Sequence, residues 1–318
     1  VGSILKRIVG RFNVRDQNGD SANVFVAAFG KHPGWDDHID DIGLNTDVLV
    51  AVKRILYVQG IGANIDCGRW EQLQDDQRLA EFKHLFLWRL NGNLVVGRMW
   101  SSRDGKGRSS YPMIVCVQCP NLSLGWIFEN IAPALQRIEQ VCAATSSATD
   151  VQTALENLQK ELRQLVQQSK PSPHSRTKLP HLLAALSRFP EMGVEHQGLL
   201  RILYHIDREV TRYNPGTNKG ESVRPTLLRV PVSPAEMLQR ALLWLGFLLK
   251  KFDRDIPVLA LMPLRESWID IIIGEPTDAQ LSCLRSSLNT IPLTSSIPYN
   301  MGSEFIEQTG RLINESSQ

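Results

Sequence analysis

Lys83-His84-Leu85-Phe86-Leu87-Trp88-Arg89-Leu90-Asn91-Gly92-Asn93-Leu94-Val95-Val96-Gly97-Arg98-Met99-Trp100 reads as two strands and a turn. Both arms are rich in strand-forming side chains, and Asn91-Gly92-Asn93 supplies the backbone freedom of a hairpin turn. A second pair, Pro257 to Met262 and Trp268 to Ile273, has the same character. Hairpins pair antiparallel, which argues against an all-parallel sheet. With helical segments on both sides, the expected fold is α/β. It is a layered, mixed or mainly antiparallel sheet flanked by helices, with a second α/β-like half.

Working outward, Val24 to Phe29 reads as a buried strand that ends in Gly30-Lys31-His32-Pro33-Gly34. Asn45 or Thr46 caps a helix predicted over Asp47 to Gln59, with Gly60-Ile61-Gly62 as its stop. A short polar helix is expected at Asp75 to Glu81, and a strand at Met113 to Gln118. Leu124 to Ala143 has helical spacing, with Pro133 expected to kink or break it. Asp150 is placed as the cap of a helix ending near Gln168. Lys170-Pro171-Ser172-Pro173-His174 is the linker candidate, dividing the chain into residues 1–168 and 169–318.

Beyond it, Leu179 to Arg188 reads as helical, while Gln197 to Ile206 fits more than one state. Tyr213 to Pro225 has the composition of a mobile loop, and Thr226 to Val230 of a strand. Ser233-Pro234-Ala235-Glu236 has the residues that start a helix, here running to Lys251. A helix is expected over Thr277 to Leu288. The chain shows no residue-level self-similarity between its halves.

The 318 residues are 42% hydrophobic and 21% charged, so the chain can bury a core. A formal net charge of +2 is too balanced to point to a nucleic acid or a membrane surface. Five cysteines without regular spacing read as reduced thiols, and the longest apolar run, Ala241 to Leu249, is short of a spanning helix. Val1 to Arg15 has basic residues but no apolar core of signal length. The expectation is a cytoplasmic protein.

Asp36, Asp37, His38, Asp40 and Asp41, with His32, form the densest cluster of chemistry-bearing side chains. Three readings fit it. Carboxylates and imidazole are ordinary ligands for a divalent cation, and Asp36 and Asp40 share a face if the stretch is helical. That would suit a metal-dependent hydrolase using Asp36, Asp37, His38 and Asp40. The spacing matches no known metal motif, which favours a solvated acidic loop with one aspartate paired to Lys31. The third reading is an acidic docking surface.

Arg103-Asp104-Gly105-Lys106-Gly107-Arg108 has cations and glycines that suit a phosphate, but the order is not that of a Walker loop, so a solvated turn is favoured. Gly60-Ile61-Gly62 follows a helix and is discounted as a dinucleotide fingerprint. Cys116 and Cys119, three apart on a strand, point to opposite faces and suit no shared zinc. Cys67 with His84 is the type of pair that arises by chance, and no Gly-x-Ser-x-Gly is present. Trp35, Trp70, Trp88 and Trp100 each read first as core or rim packing, and Trp35 and Trp70 lie in polar loops, where a Trp that proves exposed would mark an interface.

Phe29-Gly30-Lys31-His32-Pro33-Gly34-Trp35-Asp36-Asp37 resembles the amino-terminal signature of the TagF (ImpM) proteins associated with type VI secretion. Gly97 to Arg108, followed by Tyr111-Pro112-Met113, resembles that family's second block, and the match covers roughly residues 23 to 145. Asp37-His38-Ile39 departs from the family, in which phenylalanine usually follows the aspartate. The resemblance implies a non-enzymatic regulator that restrains secretion-system assembly through protein contacts, with a forkhead-associated scaffold protein as partner. It needs no cofactor. The acidic and basic loops could leave the same end of the sheet and are expected to meet there, with Asp36 or Asp37 paired to Arg103 or Arg108. The residues expected at the contact are therefore Lys31, His32, Trp35, Asp36, Asp37, Arg103, Asp104 and Arg108.

Overall fold

The computed structural model describes residues 23–119, 122–169, 179–210 and 225–315. Seven strands form one sheet in the order β1-β4-β3-β2-β6-β7-β5. They are β1 (Phe25–Gly30), β2 (Lys83–Leu90), β3 (Asn93–Ser101), β4 (Pro112–Cys119), β5 (Thr226–Pro231), β6 (Val258–Pro263) and β7 (Trp268–Ile273). Every ladder is antiparallel, including both expected hairpins. The strands before and after residue 169 belong to this single sheet, joined where β2 pairs with β6 from His84↔Pro263 to Arg89↔Val258.

Alternation along the strands gives two apolar faces. Val26, Ala28, Leu85, Leu87, Val115, Val117, Val230, Ala260 and Ile271 point to one face. Packed there are α2 (residues 124–144), α3 (Ala148–Gln168), α4 (Leu179–Ser187), α5 (Gln197–Val210), α6 (Met237–Lys251) and α8 (Ser303–Glu315). Ala27, Phe29, Phe86, Trp88, Ile114, Leu259 and Ile272 point to the other, which is covered by α1 (Asp47–Asp66) and α7 (Asp278–Leu281). Cys119 lies on the first face and Cys116 on the second, as their spacing requires.

Two charged side chains tie the layers together. Arg89 on β2 donates to the carbonyls of Leu249, Phe252, Asp253 and Ile256 and so closes the C-terminal end of α6. Arg229 on β5 donates to Ser287 O at 2.8 Å and Ile291 O at 3.0 Å in the segment beyond α7, and makes two hydrogen bonds to Asp270 on the neighbouring β7, at 2.7 and 2.9 Å, with both side chains buried. Burial acts to raise the Asp270 pKa, and the guanidinium opposes it.

Several expectations need correction. α1 does not stop at Gly60-Ile61-Gly62: it runs as α-helix, a π-helical stretch Lys53–Gly62, and α-helix again to Asp66. Gly60 serves packing instead, since a Cβ there would meet Leu281 Cδ1 at 2.2 Å. α1 is long and apolar enough to cross a membrane by composition, yet its buried side chains Leu49, Val52, Ile55, Leu56 and Ile61 belong to the core against the sheet. Residues 75–81 form turns and an isolated bridge, Arg78↔Ser286, rather than a helix, because the segment pairs with residues 285–290.

α2 is continuous. A π turn at Ile127–Ile131 precedes Pro133, which enters the first turn of the following α-helical part, where its missing N–H costs little. Ser147, not Asp150, caps α3, accepting from the Asp150 amide at 3.2 Å. Gln197–Val210 is helical, and α8 had no counterpart in the sequence reading. The helix from Thr277 is shorter than expected, with a 3-10 turn Ser282–Arg285 after α7. The basic stretch Val1 to Arg15, the linker at 170–174 and most of the 213–225 loop lie outside the described residues.

Candidate functional site: two locked loops

The site forms where β1 ends and β4 begins. The register pairs Gly30 with Met113 and Ser101 with Pro112, so the β1–α1 loop (31–46) and the β3–β4 loop (102–111) leave the same end of the sheet. Gly30 turns the chain at φ +112°, and a Cβ there would meet Pro112 O at 2.1 Å. Glycine is required for both reasons.

Lys31 follows immediately and is 3% exposed. Its ammonium donates to Asp37 Oδ1 at 2.6 Å and to Asp104 Oδ2 at 2.7 Å. Asp104, 1% exposed, also accepts from the Lys106 and Arg108 amides on Oδ1 and from Arg108 Nε on Oδ2. One carboxylate therefore folds the second loop around itself and anchors it to the first. Burial acts to raise the Asp104 pKa, and the bonds from Lys31 and Arg108 outweigh it and hold the carboxyl well below its usual range. Arg108 reaches back to the Asp36 carbonyl at 2.9 Å and to Asp37 Oδ1 at 3.0 Å. The Gly105 amide donates to Trp35 O at 2.7 Å, completing the lock. The hydrogen bond from Lys31, before other charges, lowers the pKa of the exposed Asp37 carboxyl.

His32 fastens the first loop to the helices. The Gly34 amide donates to its Nδ1 at 3.0 Å, so the proton sits on Nε2, which donates to Cys142 O at 2.9 Å near the end of α2. Burial lowers the His32 pKa and keeps the ring neutral, against the opposing effect of the Cys142 bond. The Trp35 ring stands edge-on to His32 at 5.6 Å, half-buried against the core, and its Nε1 donates to Asp40 Oδ2 at 3.3 Å.

The aspartate stretch is not helical but a run of turns and bends, closed by an isolated Lys31↔His38 bridge. Asp36 and Asp40 therefore share no helix face. Asp37 is engaged by Lys31 and Arg108, Asp40 by Trp35, and Asp41 by Lys53. Among the described residues no group of three His, Cys, Asp or Glu side chains is arranged to hold a metal ion. Arg103 takes no part in the lock. It lines an open groove of about 400 Å³ with Pro33, Trp100, Ser102, Ser109 and residues 142–146.

Trp70 takes the packing role and not the interface one: it is 2% exposed, covered by the segment after α7, and donates to Ser282 O at 3.0 Å. Two site aromatics were missed. Tyr57 from α1 and Tyr111 pack at 5.5 Å, and His38 stands edge-on to both. Tyr57 sits in an apolar helical run that gives no sign of a polar neighbourhood. Tyr111, directly before β4, gives no sign in the sequence of these neighbours either.

The chain matches no protein-family model, and no curated protein matches it. The chemistry open to the site follows from its saturation. Each buried ionised group already has an intramolecular partner, and Lys31 is held between two carboxylates. The arrangement makes a rigid, charged loop platform with Asp36, Asp37, Lys106 and Arg108 on its outer side.

Proposed function

We propose that this chain is a non-enzymatic, protein-binding regulator of the TagF type, acting in the cytoplasm on assembly of a type VI secretion system. The observation that carries the reading is the lock itself. The two stretches that resemble the family's blocks lie some seventy residues apart in sequence, yet fold into one hydrogen-bonded unit through Lys31, Asp104, Arg108 and Asp37. Pre-organised loops suit recognition, because little conformational entropy is lost on binding.

In this reading the exposed part of Trp35 contacts the partner, with Asp36, Asp37, Arg103 and Arg108 as a charged rim that steers encounter. The partner is a forkhead-associated scaffold protein. No geometric observation favours the hydrolase reading of Asp36, Asp37, His38 and Asp40.

The test is calorimetric titration of the purified chain with the forkhead-associated scaffold of a type VI system. Wild type should bind. Arg103→Glu should slow association and weaken the salt dependence, and Trp35→Ala should weaken binding by about 2 kcal/mol. A wild-type chain that does not bind, or binding indifferent to both changes, overturns the reading. Stoichiometric magnesium, manganese or zinc binding lost in Asp36→Asn/Asp40→Asn would support the hydrolase instead.

A further inference from the structure

The loop from Ser102 to Tyr111 carries more positive charge than its lock uses. Arg108 is engaged by Asp104 and Asp37, whereas Arg103 and Lys106 are exposed and make no ion pair among the described residues. Two exposed hydroxyls, Ser109 and Ser110, follow. Ser109 thus has cations one, three and six residues before it, at Arg108, Lys106 and Arg103.

The backbone around it is divided. Arg108 is pinned by its amide to Asp104 Oδ1 and by its carbonyl to the Asp104 amide. Ser109 and Ser110 make no backbone hydrogen bond among the described residues before the β4 ladder begins at Pro112. An acceptor hydroxyl is therefore held in the open on an unpaired segment, immediately after a fixed basic residue. Ser109 also lines the groove that holds Arg103.

We propose that Ser109 is a phosphorylation site for a basic-directed Ser/Thr protein kinase, and that its phosphate is held by Arg103 and Lys106 and loosens the loop lock. In the transfer, Ser109 Oγ forms a bond to the γ-phosphorus of ATP and the bond to the β–γ bridging oxygen breaks. ADP leaves, and the hydroxyl proton passes to a base of the kinase. The added dianion finds two unused cations in its own loop. It also competes with Asp37 for Arg108, and it repels Asp36 and Asp37 across the lock. A built-in carboxylate clamp is thereby opposed by a removable charge. The proposal does not depend on the partner reading.

The experiment incubates the full chain with MgATP and the catalytic subunit of a basic-directed Ser/Thr kinase. The intact mass should rise by one phosphate per chain, with fragment spectra placing it on Ser109. Ser109→Ala should lose it and Ser110→Ala keep it. Label at Ser110, at a remote site, or nowhere overturns the site. Hydrogen exchange of the Gly105 amide, which reports the bond to Trp35 O, should quicken at least tenfold in the phosphorylated chain. An unchanged rate overturns the coupling to the lock.

Discussion

Asp104 is the residue on which the two loops depend, because its carboxylate accepts four hydrogen bonds from both of them. Asp104→Asn keeps the shape, removes the charge opposite buried Lys31, and cannot accept on both sides. A lower Tm and faster Gly105 amide exchange are expected, while Arg103→Ala, outside the lock, should stay within about 0.5 kcal/mol of wild type. Equal effects of the two changes would remove Asp104 from this role. His84 gives a pH dependence. Its ring is fully buried, and burial, helped by Arg285 and Arg229, lowers its pKa to about 3. The unfolded chain then binds more protons than the folded one between about pH 3 and the ordinary histidine value near 6.5, so stability falls as pH falls through that window. At pH 5 the loss should be about 2 kcal/mol from His84 alone. His32, shifted the same way, adds to it. Thermal melts from pH 7 to 5 should show the decline, and His84→Asn should flatten it; a wild-type Tm independent of pH over that range would refute the assignment.

Among the elements, α1 shows why glycine reads ambiguously. Gly60 and Gly62 looked like one helix stop, yet the helix continues through both. Their surroundings differ. A Cβ at Gly60 would strike the buried Leu281 side chain at 2.2 Å, whereas at Gly62 the nearest atom is 3.5 Å away. Gly60→Ala should therefore cost about 1–3 kcal/mol by overpacking. Gly62→Ala should stabilise by about 0.4–1 kcal/mol, by restricting the unfolded chain. Chemical denaturation of the two variants separates the cases, and destabilisation of both would mean that the π-helical turn itself needs glycine.

Across the fold, strands from both halves of the chain share one sheet through the β2–β6 ladder, and Arg89 binds β2 to the end of α6. Unfolding should then be a single cooperative transition, coincident by fluorescence and circular dichroism. Two separated transitions would mean that the halves melt independently. The Arg229–Asp270 pair tests the same continuity from the far side of the sheet. Removing one partner by Asp270→Ala leaves a buried guanidinium and should cost about 3–5 kcal/mol, lowering the whole transition rather than splitting it.

The strands were legible in the residues because a strand's signal is local. Alternating or continuous apolar runs bounded by Asn91-Gly92 or by Gly30 place β1 to β7 within a residue or two of where they lie. Antiparallel pairing followed from the two hairpins. The acidic loop and the basic loop could be picked out by composition alone. Their meeting follows if both loops leave the same end of the sheet, and the Asp37–Arg108 ion pair bears it out, but the sequence could not show the frame that brings it about, β1 lying beside β4, a pairing across some ninety residues. Nor could the sequence separate Trp35, half-buried on His32, from Trp70, buried under Ser282, because burial of a loop aromatic depends on which distant segment covers it. The same holds for the aspartates. Their number was evident, and so was a pairing with Lys31, but which aspartate meets which donor was set by the fold, through contacts from Lys31, Arg108, Trp35 and Lys53 that converge only after the sheet has formed.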